Sequence, residues 1–248
     1  MIPEKKEYYS LVDGVKDCYW RCDAGAGRDC VVVLHGHGGH GDQLFSSPKA
    51  EGMKRALAER SVSVLSPELR GNAWMSPAAA ADLVQILSAE KKAMGFRRCF
   101  LISASMGGTG ALIFAMLHPE WVDAVAVLGG ATDLRRYRDW CRAGDLPIHQ
   151  EIAAAIDGNY AGDDFVNHSV CEHWERLSMP LRFYHSEADR VIPVSEMRAL
   201  QKNMKNCSNA VFAEVPALET APNWWDDHDA PVAYFATVLD EFCRLELS

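Results

Sequence analysis

The sequence predicts an α/β fold, a mostly parallel central sheet with helices on both faces and a short cap insertion. Three observations predict it. Strand-like apolar runs alternate with helix-like segments over most of the 248 residues. At 48% hydrophobic and 24% charged, the chain can fill the core of one domain of this length. The rhythm breaks once, between about residues 132 and 178, in a polar stretch of weak helical periodicity carrying Tyr137, Trp140 and Tyr160. That break reads as a cap within a single domain spanning 1–248.

The elements follow in order. Tyr8–Val12 and Cys18–Cys22 read as strands around Asp13-Gly14, a hairpin signal. Gly25-Ala26-Gly27 breaks the chain before the buried run Cys30–Leu34. Pro48–Arg60 reads as helix and Ser61–Ser66 as strand. Ser76 is placed as an N-cap with Pro77 at the first helical position, opening a helix to about Met94 through the run Ala78–Ala81. The strand Cys99–Ile102 leads into a helix over Thr109–Leu117, and Val122–Leu128 is the next strand. Beyond the cap come strand Leu181–His185, helix Ser195–Lys205, strand Ala210–Val215 and helix Pro231–Leu245. In such sheets ligands bind at the carboxyl ends of the strands, where the loops from His35, Ser103 and His185 begin.

Composition excludes several partners. The net charge is −9 with no block of Lys and Arg, which argues against nucleic acid or an anionic membrane surface. No apolar run reaches membrane-spanning length, and Met1–Glu7 is charged without the apolar core of a signal peptide. Eight scattered cysteines without a C-x-x-C pair suit a reducing compartment, the cytoplasm, although their even number leaves disulfides open.

The richest stretch is Cys99–Met116, where an apolar strand runs into Ser103-Ala104-Ser105-Met106-Gly107 and then a helix. This is small-x-Ser-x-small at a strand-to-helix turn. So sharp a turn needs small neighbours, lifts the Ser105 hydroxyl clear of the sheet, and aims the helix N–H groups at developing negative charge. Ser105 is therefore the candidate nucleophile. In the loop His185–Pro193, Asp189 is the candidate acid, with Glu187 as rival. In Asn223–Asp229, just before the last helix, His228 is the candidate general base, because imidazole titrates near neutrality. His228 would take the Ser105 proton, and Asp189 would fix its tautomer.

The loop His35–Asp42 allows three readings. As an oxyanion loop it would offer the N–H of His37, with that of Gly38 as a second donor, beside the Met106 N–H. As Gly36-x-Gly38-x-x-Gly41 it could bind a dinucleotide, but Asp42–Ser47 delays the helix. As His35-x-His37-x-x-His40 it resembles the metallo-β-lactamase histidine cluster, which would leave Ser105, Asp189 and His228 unexplained. The oxyanion reading is preferred. Of the remaining histidines, His118 reads as a helix terminus, His149, His168 and His173 as cap surface, and His185 as structural.

On His35–Gly39, Ser103–Gly108, Asp189–Pro193 and Asn223–Asp229, nearly the whole chain resembles a compact α/β-hydrolase of the esterase and prolyl-oligopeptidase-catalytic-domain kind. Two departures stand out. Ser103 replaces the usual first Gly of the elbow, and two Trp residues separate Asn223 from His228 where the family commonly has Gly-Asn-His-Asp. The resemblance implies hydrolysis of a small carboxylic ester through an acyl-enzyme, without cofactor or metal. A small serine peptidase, a zinc hydrolase built on His35, His37 and His40, and a non-catalytic ligand-binding member are the alternatives. Gly38, Trp140, Trp224 and Trp225 are the candidate pocket residues. A short cap and bulky aromatics would narrow the cleft and favour acetyl to butyryl esters.

Overall fold

In the computed structural model, which describes residues 2–215 and 229–245, eight strands form one sheet. They are β1 (Glu4–Tyr9), β2 (Lys16–Cys22), β3 (Cys30–Val32), β4 (Ser63–Pro67), β5 (Cys99–Ala104), β6 (Ala124–Leu128), β7 (Leu181–Ser186) and β8 (Ala210–Val215). Their spatial order is β1-β2-β4-β3-β5-β6-β7-β8. From β4 to β8 all pairings are parallel, while β1–β2 and β2–β4 are antiparallel. The helices are α1 (Gln43–Ser46), α2 (Glu51–Glu59), α3 (Pro77–Met94), α4 (Met106–Leu117), α5 (Leu134–Ala143), α6 (Pro147–Asn159), α7 (Asp164–Asn167), α8 (Ser195–Asn203) and α9 (Asp229–Arg244).

The central strands are apolar on both faces because both are covered. Val31, Val64, Phe100 and Ile102 pack against Leu57 of α2 and Phe235, Leu239 and Phe242 of α9. Their neighbours Val32, Leu65, Leu101 and Val125 point the other way, toward α3, α4, α5, α6 and α8. The ends of α3 follow the predicted chemistry. The Ser76 hydroxyl accepts from the Ala79 N–H at 3.4 Å, and Gly95 closes the helix at φ +62°.

Several boundaries differ from expectation. β1 begins at Glu4, not Tyr8, because it is an edge strand whose charges are paired: Arg21 bonds Glu4 at 2.9 Å and Lys16 meets Glu7 at 2.8 Å. β3 stops at Val32, since the Leu34 N–H donates to the Ser103 hydroxyl at 2.8 Å and not to a neighbouring strand. Pro48–Arg60 divides into a 3₁₀ turn, Pro48–Ala50, and α2. The polar stretch between β6 and β7 holds α5, α6 and α7, with Leu134, Tyr137 and Cys141 forming a buried stripe on α5. It is tied down through Glu196 of α8, only 2% exposed, which accepts from the Thr132 and Asp133 N–H groups and pairs with Arg136 at 2.8 Å. All eight cysteine thiols are free. Among the described residues no helix is long and apolar enough to cross a membrane.

Candidate active site

The turn from β5 into α4 carries Ser105 at φ +57°, ψ −128°, a conformation that side-chain-bearing residues avoid. The surroundings enforce it. The Ser105 N–H lies 3.1 and 2.9 Å from the Leu128 and Gly129 carbonyls, and its own carbonyl accepts from the Thr109 N–H at 2.9 Å. A Cβ on Gly107 would come within 2.2 Å of the Leu34 carbonyl oxygen, and one on Gly108 within 2.6 Å of the Gly129 oxygen. The start of α4 therefore presses backbone to backbone on the strand ends. Gly107→Ala should cost about 3 kcal/mol of stability in denaturant unfolding, through overpacking against main chain that cannot yield. Unchanged stability would show that the close approach is not needed. Ser103, the departure from the usual motif, is both small and useful, because its hydroxyl takes the Leu34 N–H.

As the first residue of α4, Met106 has an N–H without an intrahelical acceptor. The His37 N–H has no acceptor among the described residues, whereas the Gly38 N–H donates to Asn72 Oδ1 at 2.7 Å. Of the two loop donors, His37 is the open one. The loop is held from the segment after β4. Glu68 accepts from the Gly41 N–H at 2.8 Å and meets His40 Nδ1 at 2.9 Å, and Trp74 Nε1 donates to His37 Nδ1 at 3.3 Å. Burial works to raise the Glu68 carboxyl, but the Gly41 N–H and His40 outweigh it and hold it below its ordinary value. Burial lowers the His37 imidazole. The supporting segment is itself strained, with Leu69, Arg70, Gly71, Trp74 and Met75 all at positive φ. The Tyr160 hydroxyl, 2.7 Å from both the Trp74 and Met75 carbonyls, secures its end.

The three histidines of this loop do not converge. His35 sits between the Gly36 and Glu68 carbonyls, His37 faces Trp74, and His40 pairs with Glu68. Among the described residues no group of three His, Cys, Asp or Glu side chains is placed to hold a metal ion. Nor does a long helix open on the glycines, since α1 is one turn long.

Asp189, just past β7, has a side chain only 4% exposed. Its Oδ1 accepts from the Val191 and Ile192 N–H groups at 2.8 and 2.9 Å, and Oδ2 lies 3.6 Å from His185 Nε2. Burial raises its carboxyl above the usual range against these contacts, and burial lowers His185. Glu187, by contrast, is 54% exposed and stands 4.0 Å from Arg198. The expectations for His228, Trp224 and Trp225 lie outside the described residues.

Ser105, His37 and Gly38 share a cavity of about 560 Å³ with an apolar wall that includes Leu44, Met53 and Phe235. Trp140 is not in it. It stacks on Tyr137, meets the His149 ring edge-on at 4.7 Å, and borders a separate cleft with Asp145 and Arg190. His149 and His168, expected at the surface, are 3% and 7% exposed. Their rings bond backbone carbonyls, His149 Nε2 to Arg190 and His168 Nδ1 to Asp164. His118 does end α4, and His185 is fully buried. Sequence reasoning gave Tyr137 no role beyond the cap, placed His149 at the surface, and did not single out Glu196. The stripe Leu134, Tyr137 and Cys141 was the available signal for the first; the others had no local one.

Residues 29–209 match the family model described as alpha/beta hydrolase fold. A curated relative from Paraburkholderia phymatum, named 2-hydroxy-6-oxononadienedioate/2-hydroxy-6-oxononatrienedioate hydrolase, is 29% identical over 121 residues. That match takes in 44% of this chain and spans only 39% of the relative's length. Among solved structures, the Staphylococcus aureus fluorophosphonate-binding serine hydrolase FphF superposes with a TM-score of 0.71 at 11% identity, over 95% of this chain and 98% of its own. The Pyrococcus furiosus esterase Pf2001 superposes with a TM-score of 0.67 at 16% identity, over 97% and 91%. At such identities the fold is what is shared. With the strand order, the strained serine turn and the family match in agreement, the chain belongs to the alpha/beta hydrolase fold family.

Proposed function

We propose that the protein is a serine hydrolase that cleaves carboxylic esters of small substrates through an acyl-enzyme. Ser105 Oγ attacks the ester carbonyl while His228 takes its proton. Asp189 holds the tautomer of His228 and stabilises the imidazolium, and the Met106 and His37 N–H groups receive the oxyanion. His228 then protonates the leaving alkoxide. Water, deprotonated by His228, attacks the acyl-enzyme, and the proton returns to Ser105 as the acid departs. These steps need only side chains, backbone donors and water. The segment 132–178 is read as a cap on a single domain, and the eight free thiols support a cytoplasmic setting.

One observation carries the reading: the left-handed backbone of Ser105 at the head of α4, held by main-chain contacts too close for any residue but Gly at 107. Reaction with a fluorophosphonate, followed by peptide mapping, tests it. A single adduct on Ser105 is expected; an adduct on Ser103, or none, would overturn the assignment.

The cavity supports a longer acyl chain than the acetyl-to-butyryl preference read from the sequence. Trp140 is not among its lining residues, Trp224 and Trp225 lie outside the described residues, and one part of the wall, Leu44, Met53 and Phe235, is apolar. Each methylene buried there contributes about 0.8 kcal/mol, close to fourfold in binding. With one alcohol held constant, kcat/KM should rise from acetyl to hexanoyl esters. A fall beyond butyryl would restore the narrow cleft.

A further inference from the structure

We infer that the α5–α6 segment positions the catalytic acid, with Tyr137 and His149 as positioning residues for Asp189; this rests on the triad proposed above. Three successive carbonyls of the acid loop are each held by a buried side chain. His149 Nε2 bonds the Arg190 carbonyl at 2.9 Å, the Tyr137 hydroxyl donates to that of Val191 at 3.0 Å, and His185 Nε2 bonds that of Ile192 at 2.8 Å. The N–H groups of Val191 and Ile192 are in turn the two donors to Asp189 Oδ1. The 190–191 and 191–192 peptides, clamped by His149 and Tyr137, thus each join a clamp on one side to the carboxylate on the other. Two of the three clamps come from helices inserted between β6 and β7, more than forty residues away in sequence.

Packing alone does not account for His149. Donating from Nε2 leaves Nδ1 bare, and that atom is buried without a partner among the described residues. It faces Gly144, where any Cβ would lie 2.1 Å from it. A buried unpaired nitrogen is destabilising, so an apolar side chain would fill the space at lower cost. What an apolar side chain lacks is the bond to the Arg190 carbonyl. Tyr137 is similar: its ring is fully buried, and its hydroxyl serves the loop.

The test is a double-mutant cycle with Asp189→Asn, read as kcat and KM separately on an aryl ester, with thermal unfolding alongside. Tyr137→Phe removes only the hydroxyl, and His149→Gln keeps an amide donor near the Nε2 position, so the pair remains informative if His149→Leu fails to fold. Tyr137→Phe and His149→Leu should each lower kcat about 10-fold with KM within about twofold, because small misplacements of a catalytic group act on the reacting geometry. His149→Gln should recover most of the loss. In the Asp189→Asn background Tyr137→Phe should cost almost nothing further, since its effect passes through the carboxylate. Equal losses in both backgrounds, or a change confined to KM or to unfolding temperature, would overturn the proposal. Fluorophosphonate labelling of Ser105 is the separate check on the triad, so its failure and the failure of the clamp are distinguishable.

Discussion

Ser105→Ala should fold like the parent and lose about 10⁴–10⁶-fold in kcat. The substitution removes one atom, Oγ. Alanine keeps the Cβ, so it meets the same strain at φ +57° and leaves the contacts that fix the turn, the Ser105 N–H to Leu128 and Gly129 and its carbonyl to Thr109. Ser103→Ala should behave in the opposite way. It strips a buried acceptor from the Leu34 N–H, which costs about 1–3 kcal/mol of stability, while the chemical step keeps its nucleophile. Steady-state kinetics on an activated aryl ester and denaturant unfolding of both variants separate the two roles. A rate collapse in Ser103→Ala with an active Ser105→Ala would move the nucleophile by two residues.

His228→Ala should be nearly as damaging as Ser105→Ala, because nucleophile and base act as a unit. Asp189→Asn should cost about 10³–10⁴-fold in kcat. Asparagine retains an oxygen for the Val191 and Ile192 N–H groups, so the loop stays in place and the loss reports charge and tautomer. The pH profile carries a sign. Activity falls with falling pH as the base becomes imidazolium, near pH about 6.5 for an unperturbed ring, and Asp189 favours that cation. Replacing the carboxylate should therefore move the acid limb of residual kcat/KM to lower pH. Full activity in Asp189→Asn, with loss in Glu187→Gln, would hand the acid role to Glu187.

The elbow was legible because it is local: the strand, the small residues and the helix that shape Ser105 are contiguous. The parallel core strands were legible for the same reason, each being an apolar run covered on both faces. β1 hid its first half because an edge strand carries charge, and Glu4-Lys5-Lys6-Glu7 looks like a solvated tail until Arg21 and Lys16 are brought opposite. The loss of Leu34 from β3 could not be read at all, since the hydroxyl responsible is 69 residues away. His149 and His168 looked like surface because their neighbours in sequence are polar; their partners are backbone carbonyls, which no residue pattern announces. Glu196 illustrates the same limit. Its partners lie 60 to 64 residues upstream, and an acid in the first turn of a helix reads as an ordinary exposed one.

During synthesis the strained segment Glu68–Met75 is made well before the hydroxyl that secures it, because Tyr160 follows Trp74 by 86 residues. Until that side chain docks, the run is held at its start, where the Arg70 N–H donates to Asp17 and its guanidinium pairs with Asp13 and Asp82, while Trp74 and Met75 still carry a strain of the order of 1–3 kcal/mol each. Trp74 and Asn72, which hold His37 and Gly38, should stay unset for that interval. The nascent chain should then assemble its parallel sheet first and the loop His35–Asp42, the proposed oxyanion loop, afterwards, so that competence for chemistry trails compactness.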